Sequence, residues 1–132
     1  MVKLSEETKT ALLLITHDLG VVAETCTRMI TMYASEIVEE APVDPALMRP
    51  RHPYTSGLLG SLPQISRARG EFAYVPGRVP SPLAMPEGCR FRDRCPHAAG
   101  GCERPQALEA SEPARLARCH RQHELELPGA VA

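Results

Sequence analysis

The sequence predicts an α/β fragment followed by a loop-rich C-terminal extension braced by a metal centre. Three observations predict it. Proline is absent from residues 1–41 and occurs thirteen times in 42–132. Proline fixes φ and lacks an N–H, so it suits loops and caps rather than element interiors. The apolar run Ala11-Leu12-Leu13-Leu14-Ile15 and a helical apolar pattern just after it both lie in the proline-free third. Four of the five cysteines, Cys89, Cys95, Cys102 and Cys119, lie in the proline-rich remainder, which needs something besides a regular core to hold it.

The elements follow in order. Met1–Lys9 is polar and reads as a helix remnant or a fraying start. Ala11–Ile15 is short and ends in Thr16-His17-Asp18. Periodicity alone does not separate strand from helix in such a run, but its length favours a strand covered on both faces, as in a parallel sheet. Leu19, Val22, Ala23 and Cys26 fall at i, i+3, i+4 and i+7, the apolar face of a short helix. Thr16 or Asp18 can cap that helix, and Cys26 on its face reads as a small core residue. Arg28–Tyr33 and Glu36–Glu39 read as strands joined at Ala34-Ser35, although a two-residue turn prefers Gly or Asn. Ser111 before Glu112-Pro113 reads as the cap of a short helix ending near Cys119.

Composition sets further bounds. The chain has 132 residues, 43% of them apolar, with no Trp, two Phe and three Tyr, so an aliphatic core is expected. No apolar run reaches the ~18–20 residues of a membrane span, and a soluble, cytosolic chain is expected. The net charge of −1 gives no pull toward nucleic acid, and aromatic interleaving is too sparse for it. Residues 1–44 carry three basic and eight acidic groups, and 45–132 carry twelve and eight. Arg90, Arg92, Arg94, Arg115, Arg118 and Arg121 flank the cysteines. They could bind an acidic partner, offset thiolate charge, or form a solvated surface.

Two sets of residues carry possible chemistry. His17 stands between the expected strand and the helix N-terminus, where open α/β sheets bind ligands and where unpaired N–H groups favour phosphate. The plainer reading is a histidine that caps the helix. The cysteines are spaced C-x5-C-x6-C-x16-C. Gly88 and Gly100-Gly101 flank them and allow the chain to wrap closely. Disulfides are unexpected in a reducing compartment. Zinc sites usually contain a tight knuckle of two to four residues; none is present, although His97, His120 or His123 could replace a cysteine. Zinc and iron–sulfur ligation both stay open on chemistry alone.

A resemblance orders these pieces. ALLLITHDLGVVAE at Ala11–Glu24 and RMITMYASEIVEE at Arg28–Glu40 resemble the end of the nucleotide-binding domain of ABC transporters, in the dipeptide/oligopeptide importer branch. Ser35 departs from the family's usual Gly. Downstream, Arg51-His52-Pro53-Tyr54-Thr55 with Leu58-Leu59, Val75–Pro80, and Pro86–Phe91 resemble the family's C-terminal extension. The resemblance implies that His17 is the switch histidine at the ATP γ-phosphate. It also implies that Cys89, Cys95, Cys102 and Cys119 hold a 4Fe–4S cluster, with zinc as the alternative. It divides the chain into the end of an ABC ATPase domain (1–44), a proline-rich linker (45–86), a four-cysteine cluster module (87–123) and a flexible tail (124–132).

The phosphate loop, the Asp-Glu strand and the Leu-Ser-Gly-Gly signature are missing from these 132 residues. A C-terminal piece of a longer subunit, inactive as an ATPase by itself, is therefore expected. The complete subunit would use ATP and magnesium and couple hydrolysis to peptide uptake. It would pair with a second ATP-binding subunit or a copy of itself, and dock on transmembrane permeases at the cytoplasmic face of the inner membrane. The competing readings are a stand-alone iron–sulfur or zinc module, and a non-functional remnant.

Overall fold

The computed structural model describes residues 2–62 and 74–130; residues 63–73 of the expected linker lie outside it. Helix α1 (Val2–Thr8) buries no residue, as a polar start predicts. Helix α2 (Leu19–Thr25) is capped by Asp18, whose carboxylate accepts the Gly20 and Val21 N–H groups at 2.9 and 3.2 Å. Thr16 supports the cap by accepting the Asp18 N–H at 3.0 Å. Val22 of the apolar face packs with Met29, Ala41, Val43 and Ala46, and Cys26 joins this core as expected.

Strands β1 (Arg28–Tyr33) and β2 (Glu36–Pro42) form the expected hairpin. Inward and outward residues alternate along β1, with Met29, Thr31 and Tyr33 inside. Ala34 and Ser35 both adopt positive φ, 46° and 67°, as a primed two-residue turn demands. Neither residue is suited to it. The turn is held from outside, where the Arg90 guanidinium donates to the Ala34 carbonyl and pairs with Glu36 at 3.3 Å. Short helices α3 (Val43–Met48) and α4 (Pro53–Gly60) follow. His52 caps α4 through its ring, and Pro53 occupies the first turn, where its missing N–H costs nothing.

The sheet is completed by β3 (Glu109–Glu112) and β4 (Arg115–Ala117), in the order β1-β2-β4-β3, with every pairing antiparallel. This corrects the helix expected between Ser111 and Cys119. Ala114 turns with φ 60° after Pro113, and Leu116 and Ala117 pair with Glu40 and Glu39 of β2. A free strand edge therefore captures the segment.

The run Ala11–Ile15 is a second correction. Leu13 and Ile15 are 83% and 90% exposed, and no strand of the described residues pairs with the run. A strand needs a ladder partner for its N–H and C=O groups. The β1-β2-β4-β3 sheet offers this run none.

The core around Val22 has no aromatic residue, in line with the expected aliphatic core, but a second core departs from it. That core gathers Tyr33, Val38 and Phe91, with Tyr54 against them. Ring centroids lie 4.7 Å apart for Tyr33–Tyr54, 5.1 Å for Tyr33–Phe91 and 5.3 Å for Tyr54–Phe91. Aromatic residues are few, but three of them meet at one point, where tilted and edge-on packing adds to area burial.

Glu39 joins strand, helix and extension. It is 1% exposed and pairs with Arg115, 2% exposed, at 3.3 Å. Its carboxylate also accepts the backbone N–H groups of Arg51 and His52 at 2.9 and 3.1 Å. Arg115 further donates to the Arg49 carbonyl at 2.6 Å and to Glu112 at 3.1 Å. The segment after the cysteines, expected as a flexible tail, is anchored over its described part. Ser56 donates to the Pro128 carbonyl and Ala130 N–H to the Leu47 carbonyl, both at 2.7 Å.

Removing one partner of a buried pair strands a charge. Arg115→Met should therefore cost about 3–5 kcal/mol in urea unfolding. The same change at Arg28, whose 2.8 Å pair with Glu40 is surface-exposed, should cost about 1 kcal/mol or less.

Candidate metal centre

The four downstream cysteines, separated by up to sixteen residues, line one small cavity together with His52 and Phe91. Local turns place them. The Cys89, Cys95 and Cys119 carbonyls accept N–H groups three residues on, from Arg92, Ala98 and Gln122, at 3.0, 3.2 and 3.0 Å. Cys89 N–H in turn donates to the Cys102 carbonyl at 2.9 Å, which ties the first cysteine to the third. Gly88, with φ +76°, permits this approach, because a Cβ there would collide with the Cys102 carbonyl.

All five cysteines are free, so the disulfide alternative is not what the fold adopts. Backbone N–H groups two residues on are aimed at three of the cavity thiols: Phe91 at Cys89, His97 at Cys95 and Arg121 at Cys119. Such donors favour thiolate. Against them, burial pushes all three thiols up, Cys95 to about 11, and the neighbouring thiols add to the effect. Burial thus holds Cys89, Cys95 and Cys119 protonated, and a metal that bound them would release protons.

The thiols share the cavity without closing on one point. Among the described residues, no three His, Cys, Asp or Glu side chains are gathered as a single metal ion requires. His97 and His120 line the cavity; His123 does not. His120 Nδ1 lies 3.1 Å from Gln106 Oε1.

The flanking arginines fasten loops. Arg94 donates to the Pro76 and Val75 carbonyls at 2.6 and 2.9 Å and to the Tyr33 hydroxyl at 3.2 Å. Arg118 bridges the Ile37 and Gln106 carbonyls, both at 2.8 Å, and Arg121 reaches the His97 carbonyl at 2.7 Å. The expectation of a solvated or partner-binding surface is corrected for these residues, and for buried Arg115. Backbone without ladder partners needs donors, and a guanidinium supplies five.

His17 is exposed, just before Asp18, and makes no side-chain hydrogen bond among the described residues. Asp18, not His17, caps α2. The structure does not bring His17 to the cysteine cavity. Sequence reasoning missed His52, Phe91 and Glu39 as site-building residues. Only the His-Pro-Tyr-Thr segment hinted at the first.

Residues 38–102 match the C-terminal region of the oligopeptide/dipeptide transporter family. The chain carries that region of a peptide ABC transporter ATP-binding protein. It is 46% identical over 127 residues to a probable peptide ABC transporter ATP-binding protein, y4tR, of Sinorhizobium fredii, covering 95% of this chain and 38% of that protein. It is 40% identical over 122 residues to the oligopeptide transport ATP-binding protein OppD of Salmonella typhimurium, covering 92% and 36%. With AppD of Bacillus subtilis it shares 44% over 120 residues, covering 90% and 37%. The chain thus spans little more than a third of the curated relatives it matches. No helix among the described residues is long and apolar enough to cross a membrane.

His52 gives the site region a pH signature. Burial, and then the Arg118 charge, lower its imidazole from 6.5 to about 3. The unfolded ring takes up a proton below 6.5 that the folded ring refuses. Its contribution to stability is therefore complete above pH 6.5 and is lost as pH falls from 6.5 toward 3. By pH 4.5 the loss should be roughly 2–3 kcal/mol. His52→Asn, which keeps a cap acceptor, should flatten this decline in urea titrations at stepped pH.

Proposed function

We propose that this chain is the C-terminal part of an ATP-binding subunit of a peptide-import ABC transporter, and that its extension is folded around a 4Fe–4S cluster. The observation that carries the cluster is the convergence of Cys89, Cys95, Cys102 and Cys119 on one cavity. Three of their thiols face backbone N–H donors. The choice of an iron–sulfur cluster over zinc follows the C-x5-C-x6-C-x16-C spacing, which lacks the tight knuckle usual at zinc sites. When bound, such a cluster supplies one-electron chemistry and four thiolate cross-links. The chain's own residues do the rest. The turns position the sulfurs, the N–H groups stabilise their negative charge, and Phe91 shields one wall.

The transport reading rests on the family match and the relatives' names. In the complete subunit, ATP hydrolysis on magnesium drives peptide uptake. The partners are a second ATP-binding subunit, or a copy of the first, and membrane permeases on whose cytoplasmic face the subunit sits. His17, exposed and released from capping by Asp18, is the γ-phosphate contact there. We assign the cluster module to 87–123, behind the ATPase end (1–44) and the linker (45–86).

Anaerobic purification tests the cluster. The chain should carry about four irons and four sulfides and show broad visible absorption that bleaches on reduction. Serine at any of the four cavity cysteines should make iron labile to air, whereas Cys26→Ala should leave the iron content unchanged. One stoichiometric zinc in a colourless protein would replace this reading with the zinc one. With the rest of the subunit supplied, His17→Ala should lower ATP turnover by about 10²-fold or more with nucleotide binding retained. Near-normal turnover would remove that role.

A further inference from the structure

The His-Pro-Tyr-Thr segment has no task in the reading above, yet His52 stands on the wall of the cysteine cavity. It is 1% exposed. Its backbone is fixed by the N–H bond to Glu39 at 3.1 Å, and its ring centroid lies 5.9 Å from that of Phe91. Nδ1 accepts the Tyr54 N–H at 3.0 Å. A nitrogen that accepts carries no proton, so the proton of the neutral ring sits on Nε2. Nε2 has no hydrogen-bond partner among the described residues. With Nδ1 taken by the Tyr54 N–H and the ring lining the cavity, Nε2–H is left as a donor available to whatever fills that space. The same tautomer excludes iron ligation, because the only ring nitrogen free to face the cavity already holds a proton.

We propose that His52 Nε2–H is a hydrogen-bond donor to a sulfur of the iron–sulfur cluster and so sets its reduction potential. This rests on the cluster reading of the preceding section. A donor to sulfur stabilises the added negative charge of the reduced state and raises the potential. His52 acts through the cluster's sulfur, as a tuning residue and not as a ligand. Glu39 links that role to the fold, because one carboxylate holds both the His52 amide and buried Arg115.

The test uses the full chain carrying its cluster under anaerobic conditions. His52→Asn keeps an acceptor for the Tyr54 N–H in Oδ1 and, being shorter, takes away the donor at the position of Nε2, its own amide N–H groups ending short of it. Iron content should be unchanged, while the reduced form loses ground on the order of tenfold against the oxidised, ~59 mV lower for a one-electron couple. A second measurement needs no change at His52. Wild-type protein labelled with histidine carrying ¹⁵N in the imidazole ring alone, and then reduced, should show ¹⁵N hyperfine coupling to the cluster in pulsed EPR. That coupling should survive in His97→Ala and His120→Ala and vanish in His52→Asn. If His52→Asn fails to fold, persistence of the coupling in the other two variants assigns it. A cluster whose potential and ¹⁵N coupling are unaffected by His52→Asn, or a wild type without coupling, would overturn the role of His52 alone. A chain that takes up no iron–sulfur cluster would overturn the cluster reading and this inference with it.

Discussion

One buried carboxylate holds the molecule together. Glu39 lies on the central strand β2, fully desolvated, with Arg115 as its counter-ion and two backbone N–H groups as further partners. A charge out of water is tolerable only when its lone pairs are filled. Here they are filled from places distant in sequence: β4, and the turn that starts α4. If Glu39 moves, β4 loses its anchor beside β2, and the Arg51-His52 turn loses the acceptor that orients it. The first third of the chain and the extension are therefore joined by polar contacts at their interface as well as by apolar packing.

The same logic runs through the extension. Loop backbone exposes N–H and C=O groups that strands would pair, and buried ones must find partners. Arginine supplies them where proline has removed the ladder. Arg90 steadies a strained turn, Arg94 binds two carbonyls of 74–76, Arg118 spans β2 and Gln106, and Arg121 reaches across to His97. These bonds arrange loops around the cysteine cavity without a large apolar core. The aromatic cluster of Tyr33, Tyr54 and Phe91 lies beneath it. Phe91 belongs to both, since it packs in that core and lines the cavity.

The cavity's chemistry follows from this construction. Burial makes free thiolates costly and holds three thiols protonated, while the N–H groups two residues on are already aimed to receive negative sulfur. Burial and the backbone donors therefore act on these sulfurs in opposite senses, with burial the larger effect. His52, neutral because it is desolvated beside Arg118, brings an N–H rather than a charge to that space. Its orientation is decided by capping α4. A helix cap and a site residue are one side chain.

Local rules determined the elements whose causes are local. Asp18 and the i, i+3, i+4, i+7 pattern fix α2, and alternation fixes β1. Proline marks where regular structure gives way, and cysteine spacing with its glycines marks the candidate site. The Ala34-Ser35 turn was legible, though its support by Arg90, far along the chain, was not. Only the tertiary structure decided the rest, because it depends on contacts between distant residues. The segment expected as a helix became the turn and strand β4 because β2 had a free edge beside it. Ala11–Ile15 stayed unpaired because no described strand lay next to it. Arg115 and Glu39 look like ordinary surface charges in sequence and became the buried pair only when β4 met β2. His52 entered the cavity for the same reason: composition and spacing carry no information about which cap faces which hollow until the chain has closed.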